Sequence, residues 1–500
     1  MSTVQELLAL LRIRWLQLCA LVAMLTGVGV IAFEMKLCVL DFDIWWHLKV
    51  GDWIVTHLGV PHTGILSRTA ANRPWIAYSW GYEVLLSRAY AWFGLSGIGI
   101  FGTLLTLGVA YSIYWMLRRL SGRFWLACGL TAVTCSAFLF DGTPRPFFFS
   151  MVLFSVILTL LLEANRSGRV QTLYWLPPIF IVWANLHIQF VYGLFLVGLL
   201  LAVVLAQRLA GKLGIAPAFL RPPTLPARSL MVLFILCTIA TVVGPNFYHP
   251  YQAIYEYSKA KFTYSVIMEL QPLTFRDYTQ YAELLLTAAG FFAVGWQKRL
   301  DPFKLALLSI ASVVAFRTMR DAWFICIPAA ACIADYPAPE LERDRAGNWS
   351  EKIGVATAVV LLLALFSRST DFNQRGFDRA ISGQYPVNAV NFLRRNPVPG
   401  PLYNNLNWGG FLMWYMPDYP VAIDGRNDLY GDDMDKIFFD CQNAAASYTT
   451  DPYLNQARVV LLDSNLPLAK ILSIDGRFEL VYHDQIATVY ARRQMPALPR

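Results

Sequence analysis

The chain has 500 residues, 56% of them apolar and 15% charged, with a formal net charge of +8. The apolar residues stand in long blocks, which excludes an ordinary water-soluble globular protein and reads as a polytopic membrane protein. Lys and Arg cluster in the short connections between the blocks, where they act as topology signals, so the positive balance does not argue for nucleic acid.

The first apolar run is WLQLCALVAMLTGVGVIAF, from Trp15. No small-residue cleavage site follows it, and it is read as a retained anchor. A hydrocarbon core of about 30 Å takes roughly 20 apolar residues of helix. On that measure about eleven segments are candidate spans: 15–34, 93–117, 124–141, 147–164, 171–186, 189–207, 229–245, 281–297, 303–317, 321–335 and 352–368. Cys19, Cys128, Cys135, Cys237, Cys326 and Cys332 fall within them and no CxxC pair occurs, so neither a disulfide framework nor a zinc site is expected.

Between the first two spans, residues 35–92 carry DIWWHLKVGDWIVTHLG and WIAYSWGYEVLLSRAYAWFG. Both place apolar and aromatic residues at helical spacing. They predict helices lying in the membrane interface, with Trp45, Trp46 and Trp53 at headgroup depth.

Orientation follows from the basic loops. With the N-terminus inside, Arg118, Arg119 and Arg123, then Arg166 and Arg169, then Arg208, Lys212, Arg221 and Arg228, then Lys298, Arg299 and Lys304, then Arg343, Arg345 and Lys352 all face the cytoplasm. The other side receives 35–92, the short turns DGTPRP, NLHIQ and RTMRD, the stretch 246–280, and everything after about 369. That tail has a soluble composition, with turn signals (NWGG, DGRND) and short apolar strands (RVVLLD, FELVYH, IATVYAR). The predicted organisation is a transmembrane domain over 1–368 and a small extracytoplasmic α/β domain over 369–500.

The outer turns are chemically loaded. Asp41 and Asp43 end the first span, DGTPRP supplies Asp141 and Arg145, NLHIQ supplies His187, RTMRD supplies Arg317, Arg320 and Asp321, and MELQP supplies Glu269. Short turns at one depth converge on one cavity, and ionisable groups there must find partners or water. Arginine suits phosphate oxygens, whereas a carboxylate can deprotonate a hydroxyl or hold a metal against a diphosphate. The tail motif IDGRNDLYGDD is a turn cluster, or else a loop that covers the cavity and binds acceptor sugar through Asp424, Arg426 and Asp428.

Acidic residues just after the first helix, a long first outer loop with interfacial helices, and an acid in the outer turn between helices three and four resemble the GT-C superfamily of membrane glycosyltransferases. The stretches DFDIWWHLKVGDWIVTHLGVPHTGILSRTAANRPWIAYSWGYEVLL and NWGGFLMWYMPDYPVAIDGRNDLYGD are similar to a bacterial branch of such proteins. The resemblance implies a GT-C fold and transfer of a sugar from a polyprenyl-phosphate or polyprenyl-diphosphate donor to a glycan, lipid or protein acceptor outside the cytoplasm of a bacterial inner membrane. It implies Asp43 or Asp41 as the catalytic carboxylate, with Asp43 favoured because it lies nearer the interfacial helix. Asp141 matches the second-loop acid, Arg145, Arg317, Arg320 and His187 would meet the donor phosphate, and Glu269, Asp424, Arg426 and Asp428 are cavity or acceptor candidates. A divalent metal, Mg or Mn, on Asp43 and Asp141 would follow for a diphosphate donor. The Asp-Phe-Asp motif departs from the Asp-Glu pair common in mannosyltransferases, and the Asp141 turn is short; both bear on metal dependence. A transporter or flippase of lipid-linked saccharides would instead place ionisable groups at mid-bilayer depth, and a polymerase would use a large later outer loop such as 246–280.

Overall fold

The computed structural model of the chain describes residues 3–34, 39–139, 143–336, 349–368 and 374–493. It divides into two compact units. The first comprises Met1–Leu37, Ile100–Phe247 and Ile267–Ser369, and the second Cys38–Gly99, Tyr248–Val266 and Thr370–Arg500.

The first unit is built of helices, because its apolar stretches can satisfy their backbone groups only within themselves in a bilayer. A helix lies over each stretch singled out above: Thr3–Glu34, Leu95–Ser121, Phe124–Phe138, Phe147–Ser167, Leu176–Leu186, Phe190–Lys212, Ala227–Ala240, Tyr278–Gly295, Pro302–Arg317, Trp323–Ala334 and Trp349–Arg368. Among the described residues, Arg14–Phe33, Leu95–Ser121, Phe147–Ser167, Phe190–Lys212 and Ser350–Arg368 are long and apolar enough to cross a membrane. Helix Trp323–Ala334 is the hub: nearly all its side chains are buried, and Trp323 meets Phe154 edge-on at 5.2 Å. The first and last helices pair through Phe33 and Phe366, 4.4 Å apart.

The two ends of this unit differ chemically. At the end that carries the basic loops, cations are paired with acids: Arg118 with Glu351 at 3.1 Å, Arg119 with Glu163 at 2.7 Å, and Arg166 and Lys304 with Asp335 at 2.9 and 2.7 Å. Asp301 caps Pro302–Arg317 there by accepting from the Phe303 amide at 3.0 Å. The opposite end holds the turns at 143–146, 187–189 and 318–322 and the segment around Glu269.

The second unit joins the first-loop segment to the tail. Its helices include Ile44–His57 and Trp80–Phe93 from the first loop and Gln374–Gln384, Val387–Arg395, Gly409–Tyr415 and Asn427–Gln442 from the tail. A four-stranded sheet, β1 (Leu402–Asn404), β2 (Val459–Asp463), β3 (Phe478–His483) and β4 (Ala487–Arg492), runs in the order β1-β2-β4-β3, with β1 parallel to β2 and the other pairs antiparallel. The strands read from RVVLLD, FELVYH and IATVYAR are present; β1, at three residues, is too short to stand out in the sequence.

Trp45 and Trp46 correct the expectation of headgroup anchors. Both are buried inside the second unit, Trp45 edge-on to Tyr385, Phe411 and Tyr415 at 5.9, 5.8 and 5.4 Å. The cause is the tail helix Gly409–Tyr415, which lies directly on Ile44–His57. A side chain at Gly410 would come within 2.9 Å of the Trp46 amide nitrogen, so only glycine permits the approach. Loop 60–75 is stitched to the tail as well, the Arg68 amide donating to the Val421 carbonyl at 2.8 Å.

Candidate active site

Two polar centres emerge, one in each unit. In the second, Asp43 begins helix Ile44–His57, and its carboxylate makes no capping bond to that helix. The Trp46 indole N–H donates to Asp43 Oδ1 at 3.1 Å instead, leaving the carboxylate half-buried beside the helix start. Asp41 is buried, and its Oδ1 accepts the Asp43 amide at 2.9 Å, which makes it the brace of the turn that presents Asp43. The tail loop closes on the same point, since a side chain at Gly425 would meet Asp43 Oδ1 at 2.0 Å.

Beyond Gly425 the tail motif turns inward. Asp424 and Arg426 are 0% and 1% exposed, and their pair is bidentate, with Nε to Oδ1 at 2.8 Å and Nη2 to Oδ2 at 2.7 Å. Tyr430 donates its hydroxyl to Asp424 Oδ2 at 2.7 Å, and Arg426 donates to the Ile65 carbonyl at 3.0 Å. The guanidinium also lies over the Trp75 ring, 4.8 Å from its centre, while the Trp75 N–H donates to Asp428 Oδ2 at 2.9 Å. Burial pushes the Asp428 carboxyl up to about 6, against the opposing pull of the Trp75 hydrogen bond and Arg426.

Sequence reasoning passed over the neighbours of this centre. Glu83 is buried and lies 3.3 Å from His47 Nδ1; burial drives its carboxyl up to about 8, with Arg426 pulling down and Asp428 pushing up. His47 in turn stacks on Trp46 at 3.5 Å between ring centres. The available signal was the lone acid in the aromatic stretch WGYEVLL, which must be satisfied if the helix is packed.

The first unit's centre gathers Arg145, Glu269 and Arg320. Glu269 Oε1 accepts from Arg145 Nη1 at 3.5 Å and from Arg320 Nη2. All three side chains are partly open, at 22%, 38% and 26% exposure for Arg145, Glu269 and Arg320. Burial, with the nearby Arg320 charge adding to it, holds the His187 imidazole down at about 3. The Trp183 N–H donates to Ser150 Oγ at 2.8 Å, and the same hydroxyl is hydrogen-bonded to His187 Nδ1 at 2.9 Å. Asp321 accepts from Tyr192 at 3.0 Å and from Thr318 at 2.7 Å. Arg317 ends its helix exposed and outside this set.

Asp141 lies outside the described residues. Among the described residues no three His, Cys, Asp or Glu side chains gather as metal ligands would.

No family model and no curated protein matches the sequence. Solved structures do match. The oligosaccharyltransferase of Archaeoglobus fulgidus, tethered to an acceptor peptide, aligns at a TM-score of 0.52 and 13% identity, covering 95% of this chain and 74% of that one. The chain shares the fold of that enzyme. The same enzyme in complex with Zn and sulfate aligns at 0.48 and 13% identity over 94% and 73% of the two chains. ArnT from Cupriavidus metallidurans, bound to undecaprenyl phosphate, aligns at 0.47 and 13% over 96% and 99%. The five long apolar helices among the described residues are those expected of a membrane protein. At such identity the fold alone carries over, and the chemistry must be argued from the side chains.

Proposed function

We propose that the chain is a glycosyltransferase that moves a sugar from a polyprenyl-phosphate-linked donor to an acceptor hydroxyl outside the cytoplasm of a bacterial inner membrane. The observation that carries this is the pair of guanidinium groups, Arg145 and Arg320, meeting on one carboxylate at the partly open end of a GT-C helical unit. Two arginines that converge on one partly open point are suited to phosphate oxygens. The paired cations at the opposite end agree with that end facing the cytoplasm and the arginine end facing out.

In this reading Asp43 is the general base. Its carboxylate takes the proton of the acceptor hydroxyl as the oxygen attacks the anomeric carbon, the carbon–oxygen bond to phosphate breaks, and configuration inverts. Within the first unit, Arg145 and Arg320 are the groups suited to the charge of a leaving phosphate. Asp41 holds the turn in shape, and Asp424, Arg426 and Trp75 hold the loop that rests on Asp43. An observation on the side of a transporter is Glu283, buried within helix Tyr278–Gly295, since an acid at that depth is costly and marks ion or proton paths.

The test is transfer of radiolabelled sugar from polyprenyl-phosphate donors in membranes, comparing wild type with Asp43→Asn. Loss of a general base costs about 10²–10⁴-fold in rate. Equal transfer by the variant removes Asp43 from its role, and no transfer from any donor, with uptake or flipping observed instead, replaces the enzyme with the transporter.

A further inference from the structure

The basic end of the first unit carries a loop that the transferase reading does not use. Helix Phe190–Lys212 stops at Lys212, and the chain reverses at Gly214, whose φ of 72° favours glycine, with the Ile215 amide donating back to the Ala210 carbonyl at 3.0 Å. The loop is then tied down on two sides. Arg208 donates to the Leu225 carbonyl at 2.9 Å. The Arg221 amide donates to the Leu300 carbonyl at 2.8 Å and the Leu300 amide to the Phe219 carbonyl at 2.9 Å, which sets the loop beside Lys298 and Arg299. Although this backbone is held, its apolar side chains are not packed. Leu213, Ile215 and Phe219 are 62%, 67% and 60% exposed, and Trp296, just before the paired turn, is 67% exposed. Large apolar groups gathered at one exposed place mark a surface that something covers. The charges point the same way. No Asp or Glu occurs from 207 to 228, and Lys212, Arg228, Lys298 and Arg299 are exposed. Among the described residues none of these four cations meets an acid, whereas Arg118, Arg119, Arg166 and Lys304 at the same end are paired. Asp301, next after Leu300, is buried and turned to the Phe303 amide and Arg221.

We infer that this loop is a docking surface for the headgroups of anionic phospholipids in the leaflet at the basic end. Leu213, Ile215, Phe219 and Trp296 enter the boundary between headgroups and acyl chains, and the four cations meet the lipid phosphates. Lipid is favoured over a protein partner because the loop follows directly on a helix long and apolar enough to cross a membrane, and because exposed apolar surface continues along the spans at Leu209 and Phe292. Retaining a basic loop on one side of a membrane requires charge alone. It does not require a tied backbone that holds three large apolar side chains out of the fold, and that is the feature docking explains. The inference does not depend on which reaction the protein performs.

The experiment places the full chain in nanodiscs of phosphatidylcholine and phosphatidylglycerol in which one lipid or the other carries brominated acyl chains, at equal mole fraction of bromolipid. Bromine quenches tryptophan at contact, and the Trp296 share is the difference between wild type and Trp296→Phe. In wild type the quenching of Trp296 is expected to correspond to an association constant about fivefold or more higher for phosphatidylglycerol than for phosphatidylcholine, the worth of one lysine or arginine beside an anionic surface. Added salt should shrink that preference, because exposed charges are screened. The triple variant Lys212→Gln, Lys298→Gln, Arg299→Gln is expected to lose the preference while both lipids still quench, which also shows that it remains folded and inserted. The charge-conserving triple Lys212→Arg, Lys298→Arg, Arg299→Lys should keep it. Equal quenching of wild type by the two lipids overturns the inference, and so does a preference that the neutral triple variant retains. A preference that salt leaves untouched overturns it without recourse to any variant. Quenching of Trp296 by neither lipid also overturns it and assigns the loop to a protein partner or to water.

Discussion

The protein contains two arginine–carboxylate centres that answer opposite needs. At Asp424–Arg426 one arginine meets one acid in a fully buried, bidentate pair, with Tyr430, the Ile65 carbonyl and the Trp75 face adding further partners. At Arg145–Glu269–Arg320 two arginines share one carboxylate oxygen and remain partly open. The first centre is closed to solvent. The second stays partly open, as a site must if an anion is to reach it. Residue type alone does not separate them, because both join arginine to a carboxylate. Exposure does.

That contrast can be broken by mutation. The largest effect is expected at Arg426. Arg426→Met leaves Asp424 buried without its cation and should destabilise the protein by about 3–5 kcal/mol, read as a lowered thermal unfolding midpoint in detergent; an unchanged midpoint would make the tail motif a ligand site after all. Arg320→Gln should act on binding and leave the midpoint alone, raising the donor KM by a factor corresponding to about 1.5–3 kcal/mol, the worth of a hydrogen bond to a charged group. A fall in midpoint without a KM change would reassign Arg320 to the fold.

Glu83 supplies a pH test of the closed centre. Its carboxyl is raised from 4.5 to about 8 in the folded protein, so the folded state binds the proton more tightly than the unfolded chain. The stability it contributes is fully present below pH 4.5 and is lost as pH rises through about 8, with a slope of up to about 1.4 kcal/mol per pH unit. Glu83→Gln should flatten that part of the stability profile, and parallel profiles for variant and wild type would show that Glu83 titrates normally. The smallest effect belongs to Arg317→Ala, an exposed position outside both centres. Its stability should change by less than about 0.5 kcal/mol, with the donor KM unaffected.

Much of the architecture was legible in the chain because hydrophobic runs obey a length rule that needs no neighbours. Helices lie where the runs stand, and the three longer tail strands lie on the short apolar runs RVVLLD, FELVYH and IATVYAR. The pairing of Arg145, Glu269 and Arg320 was partly legible, since all three come from turns at the same expected depth. What the chain could not disclose was partnership at long range. Trp45 and Trp46 look like interfacial anchors until Gly409–Tyr415 lands on them from more than 350 positions away. Asp424 and Arg426 look like surface turn residues until the Ile65 carbonyl and Trp75 enclose them.

The sequence by itself determined the apolar helices, the three longer tail strands and which turns carry charge, because apolar length and charge are local properties of a chain. Only the tertiary structure decided which charges are consumed and which remain. Burial and pairing depend on what packs against a residue. A carboxylate such as Asp43 acquires its place from an indole three residues on and a glycine in the tail, a juxtaposition that no local pattern encodes.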